Sequence, residues 1–548
     1  MEKGNDFIFR HYSNDLKKDY FRWMKKIFNL CFLMVAAGNC FSQQITFQKT
    51  YGGTGYDRGF SVQQTTDGGY IIAGSIDSSG FDTDVYLVRT DANGDLIWTK
   101  TFGGTDTDIG NSVQQTTDGG FIIGGTTYSF GAGYADFYLI KTNVNGSLIW
   151  SRTFGGGDDE YGNFVQQTSD GGFIMTGLTQ SFGVNNFSTY LIKTDVNGDS
   201  LWTRTFSGTG VQAGFCVRQT TDGGYIVTGE SQNPVLIYYD VYLAKTDGNG
   251  DLLWTKIFGG NTNDAGYSVQ QTTDGGYIIA GYTSNFGAGI YNVYLIRTDA
   301  NGDSLWTKTF GGAVDDQAYS VRQTMDGGFI ITGHTSSFGG GPSSVYLIKT
   351  DTNGNCLWSR TFGGPGADYG SSVEQTADGG YIIAGQTPNF GAGSLDMYLI
   401  KTDSLGHSGC HQGNAATIVT TPATQVVNPL TTVFSGGNVI NPPTIVGSGG
   451  IVTTLCTTVG ISPTPALHEG EGVAITPNPS ASNFTITFPN TINKGVIEIY
   501  NVLGKKIFVE NVTNVSEKEI YLENMGAGIY FVKVRDGEKE SVKKLIVQ

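Results

Sequence analysis

The sequence predicts an all-β fold, a seven-bladed β-propeller followed by a small immunoglobulin-like β-sandwich, and three observations carry that prediction. Tryptophans stand at 98, 150, 202, 254, 306 and 358, each 52 residues after the last. A fixed period of this size is one supersecondary unit repeated. The triplet Asp-Gly-Gly recurs seven times, beginning at Asp67, Asp118, Asp170, Asp222, Asp274, Asp326 and Asp378. The third observation is a displaced piece. After the seventh triplet the tryptophan strand is missing, and 404–410 take its place. A matching stretch precedes the first copy: Ile45-Thr-Phe-Gln-Lys-Thr-Tyr-Gly-Gly53 aligns with Leu148-Ile-Trp-Ser-Arg-Thr-Phe-Gly-Gly156, with Phe47 at the tryptophan position.

The second copy shows the unit. Asn111–Thr116 reads as a strand, Thr117–Gly120 as a turn and Phe121–Gly125 as the next strand, followed by the glycine-rich loop Ser129–Gly133. Phe137–Thr142 is a third strand, Asn145-Gly146 a turn and Leu148–Phe154 a fourth. Asp-Gly and Asn-Gly between apolar runs mark hairpins, because both tolerate positive φ at the tip. Glycine recurs too often for stable helices. Four strands in about 50 residues is the size of one propeller blade. The amino-terminal strand then completes the seventh blade. An open solenoid of the same repeats would leave unpaired edges at both ends, which proteins avoid.

The chain divides into four expected segments. Residues 1–42 read as an over-extended start, with Met24 as the true initiator, and a signal peptide whose apolar stretch is too short to span a bilayer. Cys40 is a weak lipidation candidate, because Asn39 precedes it. The propeller is expected at 43–410. A Thr/Val/Pro/Gly-rich segment, 411–469, is either a linker or a small β-ladder packed on the last blade. The β-sandwich is expected at 470–548, from short strands such as Gly495–Asn501 and Gly528–Val534. Cys216 and Cys356 replace ordinary repeat residues and read as free thiols; Cys410 and Cys456 flank the odd segment and can pair in an oxidising compartment.

The tail resembles the type A carboxy-terminal sorting domain of the type IX secretion system of Bacteroidetes. The residues that carry the resemblance are Pro477, Asn478 and Pro479, the run Ile499–Lys505 with Gly504, the run Met525–Tyr530 with Gly526, Gly528 and Tyr530, and the closing Lys543 and Lys544. The resemblance implies export to the outer cell surface by the secretion machinery, and removal of the tail by its sorting peptidase. The stretch Thr90–Trp98 is similar to tryptophan-docking repeats of quinoprotein-like propellers, and the rhythm to kelch and delta-60 repeats. Those families include dehydrogenases, glycan-active enzymes and scaffolds, so the fold settles little about activity.

Long loops on a rigid scaffold carry binding sites more often than tight turns. The face bearing the Phe-Gly-Gly and Ser-Phe-Gly-Ala-Gly loops is therefore the candidate surface. Asp57, Asp108, Glu160, Asp264, Asp316 and Asp368, with Gln212 as the exception, form an expected acidic collar there. The alternative is that each carboxylate caps backbone amides, or pairs with the base in strand three of a blade (Arg89, Lys141, Lys193, Lys245, Arg297, Lys349 and Lys401). Blade four departs most from the repeat. Its loop 230–240 carries Leu236, Tyr238 and Tyr239, suited to stacking on sugar rings or a protein. Gln64 and its six equivalents are expected to satisfy buried backbone groups. His334, alone in the propeller, ends a strand and reads as a surface residue.

No nucleophile elbow, zinc-binding histidine pair or phosphate loop is present, and a formal charge of −16 disfavours nucleic acid and anionic membranes. The expectation is a monomeric, secreted binding or scaffold module for a glycan or a protein, not an enzyme. It has no transmembrane segment, and no cofactor beyond a structural calcium ion. The competing reading is an endoglucanase-like hydrolase using collar carboxylates. A quinone-dependent dehydrogenase is a weaker third.

Overall fold

The computed structural model describes residues 44–77, 83–184, 187–208, 210–233, 237–422, 424–427, 432–434, 438–440, 445–447, 451–459, 474–476, 483–501, 506–521, 528–536 and 539–547. The signal peptide expected within 1–42 lies outside these residues. The chain divides into two compact units that meet at Gly460 and Ile461. The described secondary structure is entirely strand.

The first unit holds seven antiparallel sheets, numbered here by their first strands: Arg58–Gln64, Asp108–Gln115, Glu160–Gln167, Gln212–Gln219, Asp264–Gln271, Asp316–Gln323 and Tyr369–Gln375. In sheet 1 the order continues through Tyr70–Asp77, Thr83–Thr90 and Leu96–Gly103. The second and third strands are apolar and buried along their length, since both faces of each sheet pack against neighbours. Sheet 7 takes its fourth strand from the other end of the unit: Ile45–Gly52 pairs antiparallel with Asp396–Thr402, with Phe47 opposite Lys401. Trp98 lies opposite Arg89 in the same register, so Phe47 occupies the tryptophan position in space as well as in sequence.

The period of 52 follows from how one sheet meets the next. Each tryptophan ring leans edge-on against the aromatic residue that opens strand two of the following sheet, as in Trp202–Tyr225 at 5.8 Å. It also covers the Asn-Gly turn there. Gly250 has φ +78°, and a Cβ on it would stand 2.6 Å from the Trp202 ring. Only glycine satisfies both the left-handed backbone and the contact. Phe47 makes the same contact with Gly94. Seven equivalent glutamines add a second link: Gln115 Oε1 accepts from Thr66 N of the preceding sheet (2.9 Å), and Gln64 Oε1 accepts from Ala377 N (2.8 Å). That last bond joins sheet 7 to sheet 1.

The described residues between 411 and 459 belong to this unit and are not confined to the last sheet. They run back past the sheets in reverse order, adding a short fifth strand to each outer edge. Gln412–Asn414 joins sheet 6, Ile418–Thr420 sheet 5 and Gln425–Val427 sheet 4. Thr432–Phe434, Asn438–Ile440 and Ile445–Gly447 join sheets 3, 2 and 1. Ile451–Val459 finally pairs with Ile45–Gly52 on sheet 7. Every outer edge is thereby covered. Cys410 and Cys456 form a disulfide that ties the start of this belt to its end. Cys216 and Cys356 are free thiols.

The second unit contains a three-stranded and a four-stranded antiparallel sheet, ordered Ala474–Thr476, Asn483–Ile492, Val515–Tyr521 and Lys506–Val512, Gly495–Asn501, Gly528–Asp536, Lys539–Val547. Alternate residues from both, among them Phe484, Ile486, Ile497, Val532 and Leu545, share one buried core. Gly528 pairs with Val547, Tyr530 packs partly buried against that core, and Lys543 is exposed. Lys544 lies opposite Phe531. Pro477, Asn478, Pro479, Gly504 and Gly526 lie outside the described residues.

Candidate functional site

Each sheet of the first unit has a tight-turn end and a long-loop end, and carboxylates behave oppositely at the two. At the tight turns the strand-three bases meet the Asp-Gly-Gly aspartates and not the collar. Lys245 Nζ lies 2.9 Å from Asp222, and Arg89, Lys141, Lys193, Arg297, Lys349 and Lys401 make the equivalent pair. Burial works against the Asp222 carboxylate, but hydrogen bonds from Thr220, Lys245 and Gly224 outweigh it and hold the group at about 2. The Asn-Gly turns are closed by the residue that opens them, Asp91 Oδ1 accepting from Asn93 N and Asp95 N at 2.8 Å each, with Asn143 in that place in sheet 2.

The collar residues are not presented to a ligand. Asp57, Asp108, Glu160, Asp264, Asp316 and Asp368 are all fully buried. Each reaches back to the glycine four residues earlier, as when Gly312 N donates to Asp316 (2.7 Å) and Gly156 N to Glu160 (2.7 Å). The long loop supplies a second donor, such as Ser337 to Asp316 or Asn285 to Asp264. The expected open collar is therefore a set of loop caps, because a buried carboxylate must be hydrogen-bonded. In several sheets a second acid sits beside the first. Burial, reinforced by Asp240, pushes Asp264 up to about 7, and burial raises Asp57, Asp136 and Asp240 to about 6.

The repeat itself reveals where the copies differ. The residue after the second-strand glycine is Ser75, Thr126, Leu178, Glu230, Tyr282, His334 or Gln386, seven identities in seven sheets. Its partners across the sheet also vary, with five identities: Arg58, Ile109, Tyr161, Ala213, Ala265, Gln317 and Tyr369. These positions lie at the long-loop end of the first two strands.

In sheets 4 to 7 three of these residues, Tyr282, His334 and Tyr369, join Phe215, Tyr267 and Tyr319 of the first strands in an aromatic wall. Phe215 and Tyr267 stand 5.0 Å apart between ring centres, Tyr267 and Tyr319 5.4 Å, and Tyr267 and Tyr282 5.9 Å. Tyr291 continues from Tyr282, and His334 bridges Tyr319 to Tyr369. The tyrosines are half-buried, so each keeps part of a ring at the surface. His334 is not a surface residue: it is 4% exposed, with Nδ1 3.1 Å from the Tyr319 hydroxyl and Nε2 3.5 Å from Asp315. The His334 contact holds the Asp315 carboxyl below the usual carboxylate range. Burial lifts Glu230, whose charge reaches Tyr267 and Tyr282, to about 7. Sequence reading passed over Glu230, Tyr267, Tyr282, Asp315 and Tyr319; comparing the copies column by column was the signal that finds them.

The divergent loop of sheet 4 lies at the same end. Leu236 lies outside the described residues. Ile237 is 71% exposed with φ +61°, a strained conformation for a β-branched residue. Tyr238 is exposed beside it, and Tyr239 is half-buried with its amide bonded to Asn263 of sheet 5. Tyr56, Tyr134 and Ile290 are further exposed apolar side chains on long loops.

Comparison with known proteins identifies the tail. Residues 474–548 match the family model described as the secretion system C-terminal sorting domain. The chain thus ends in a type IX sorting domain, is handled by that secretion machinery and is a secreted protein of the outer cell surface. The regulatory protein FlaEY of Caulobacter vibrioides is 27% identical over 198 residues, which span 32% of this chain and 20% of that protein. The match thus covers about a fifth of its length. Among solved structures, the extracellular domain of a hybrid two-component system from B. thetaiotaomicron aligns over 89% of this chain and 84% of its own, at 10% identity and a TM-score of 0.17. Among the described residues, no helix is long and apolar enough to cross a membrane.

Proposed function

We propose that the seven sheets are the blades of a closed β-propeller, and that this secreted protein is a non-catalytic binding module whose long-loop end retains a glycan. The wall of half-buried aromatic rings from Phe215 to Tyr369 carries the reading. Planar rings with a partly exposed face and a polar edge suit sugar rings, which offer an apolar face rimmed by hydroxyls. The seven different residues that follow the second-strand glycine at this end support it, since residues repeated in every copy build the scaffold. The sorting tail is removed by the sorting peptidase after export, and the propeller with its belt, as a monomer, is the working part.

The test is retention on a polysaccharide panel by the full chain, with Tyr267→Ala and Tyr319→Ala as variants. Retention without sugar release, lost at least tenfold in both, is the expected result. Capture of a protein by an otherwise inert wall would replace the glycan with a protein ligand. One observation favours a hydrolase as the second reading. Burial brings Glu230 up to about 7 while the His334 contact holds Asp315 below the usual carboxylate range, and both border the same wall, a division of roles that glycan hydrolysis uses. Sugar release abolished by Glu230→Gln would establish it.

A further inference from the structure

The loops of the long-loop end join the fourth strand of one sheet to the first of the next, and the second strand of each sheet to its third. Their sequences contain no lysine and no arginine. In sheets 4 to 7 they run 208–211, 233–238, 260–263, 284–291, 312–315, 336–343, 363–368 and 388–395. Arg58, which opens the first strand of sheet 1, is a base at this end of the strands, and it lies outside sheets 4 to 7. The aromatic wall therefore stands on a surface whose loops carry acids and no strong base. At the tight turns, by contrast, each strand-three base has its aspartate.

One acid of the wall has nothing to balance it. Glu230 follows Gly229 as Tyr282 follows Gly281 and His334 follows Gly333. In sheets 5 and 6 that side chain lies against the ring carried by the bulge of the first strand, Tyr282 against Tyr267 at 5.9 Å between centres and His334 against Tyr319 at 5.7 Å. The same register in sheet 4 pairs Glu230 with Ala213 and puts Phe215 in the bulge, so the carboxyl turns toward Phe215, whose ring lies 5.0 Å from Tyr267. The electrostatic influence of Glu230 on Tyr239, Tyr267 and Tyr282 agrees with that placement. Tyr291 stands at 89° to Tyr282, 5.2 Å away, so the tyrosines beside Glu230 offer faces in two directions. Glu230 is half-buried, and among the described residues it makes no hydrogen bond and no ion pair. Other acids at this end are held: Asp315 by His334 and Gln317 (3.0 Å), and Asp159 by the Tyr161 hydroxyl (3.2 Å).

We propose that the wall selects a glycan whose sugars carry a free amino group, with the ammonium nitrogen seated between Glu230 and the faces of Tyr267 and Tyr282. This rests on the glycan reading above and narrows it to a cationic sugar. A carboxylate withdrawn from water is costly without a partner, and an ammonium group removes that cost. Tyrosine faces attract a cation lying within about 6 Å of the ring centre. No lysine or arginine of the loops competes for either. A neutral sugar uses the rings and leaves Glu230 as it stands, and an acidic sugar is repelled.

Three hexasaccharides test it, alike in backbone and differing in one substituent per sugar: the hexamers of glucosamine, of N-acetylglucosamine and of glucose, the last as cellohexaose. The measurement is titration calorimetry of the full chain at about pH 6.5, where the amine still carries its proton in part. The glucosamine hexamer should bind at least tenfold more tightly than either neutral hexamer, and added sodium chloride should weaken it alone. Glu230→Gln keeps the side-chain shape and abandons no partner, so it should melt with the parent. It should erase the preference and leave the neutral affinities unchanged, whereas Tyr267→Ala should weaken all three. Equal affinity for the three hexamers, or a preference that survives Glu230→Gln, would overturn the proposal. If the neutral hexamers bind equally well and Tyr267→Ala releases them, the glycan reading stands and the selection for an amino sugar falls. Binding of a lysine-rich peptide with none of the hexamers would overturn both, in favour of a protein ligand.

Discussion

The two ends of the sheets are built from the same residue types and do opposite things. At the tight turns, aspartates face lysine or arginine and partly face water, as with Asp222, 60% exposed against a buried Lys245. At the long loops, the capping aspartates face backbone amides and other acids, and burial raises Asp264 to about 7. The tight-turn end is nearly invariant across copies and holds neighbours together. The long-loop end is held by buried caps, and its surface differs in every sheet. A repeat protein can thus vary one end freely because its registration resides at the other.

The largest effect should come from breaking that registration. Trp202→Ala removes the ring that covers Gly250 and Tyr225, and should cost about 3–5 kcal/mol. Trp202→Phe should cost far less, since Phe47 already fills the equivalent place. The matching change at the varied end, Tyr282→Ala, should cost about 1 kcal/mol or less and act on ligand retention instead. Denaturant unfolding of the full chain checks all three. Equal losses for Trp202→Ala and Tyr282→Ala would erase the distinction between the ends.

Opening the Cys410–Cys456 loop should rank next, at about 2–4 kcal/mol, because the bridge restrains the 46-residue separation it spans in the unfolded chain. Melting of Cys410→Ser against parent measures it, and the parent in reductant should match the variant.

Titration sharpens the comparison further. Asp57, Asp136 and Asp240 at about 6 and Asp264 at about 7 lie above the ordinary aspartate value, so between pH 4 and 7 the folded protein binds more protons than the unfolded chain. Protons therefore stabilise it, and the melting temperature should rise as pH falls from 7.5 to about 5. The tight-turn aspartates lie below their ordinary value, Asp222 at about 2, so their contribution is present above pH 4 and lost as pH falls toward that value. The curve should peak between the two windows. A melting temperature that climbs steadily from pH 5 to 8 would contradict it. The smallest effect is Asp222→Asn, about 1 kcal/mol or less, because a half-exposed ion pair is screened by water.

What the sequence made legible followed from periodicity. The pairing of Ile45–Gly52 with the seventh sheet was readable, because Phe47 sits in an otherwise intact tryptophan strand. The pairing of charges was not. Each copy offers acids at both ends and a single base in its third strand, and spacing alone does not say which acid that base meets. Strand direction decides it, since Lys245 points toward the tight turn. The belt was illegible for another reason: three-residue strands such as Ile418–Thr420 are too short to show alternation. His334 was misread because a strand end usually means exposure, whereas here Tyr319, Tyr369 and Asp315 surround it.

The belt also dictates an order of assembly. Ile45–Gly52, nearly the first residues of the unit to be made, lies between Asp396–Thr402 and Ile451–Val459, the last. No sheet-7 intermediate is complete until the chain has been synthesised to the far side of residue 459, whatever the other sheets have done. Once the disulfide forms, the segment that reinforces all seven edges becomes a covalent loop, and peeling it back requires every sheet to release its strand before either end of that loop comes free.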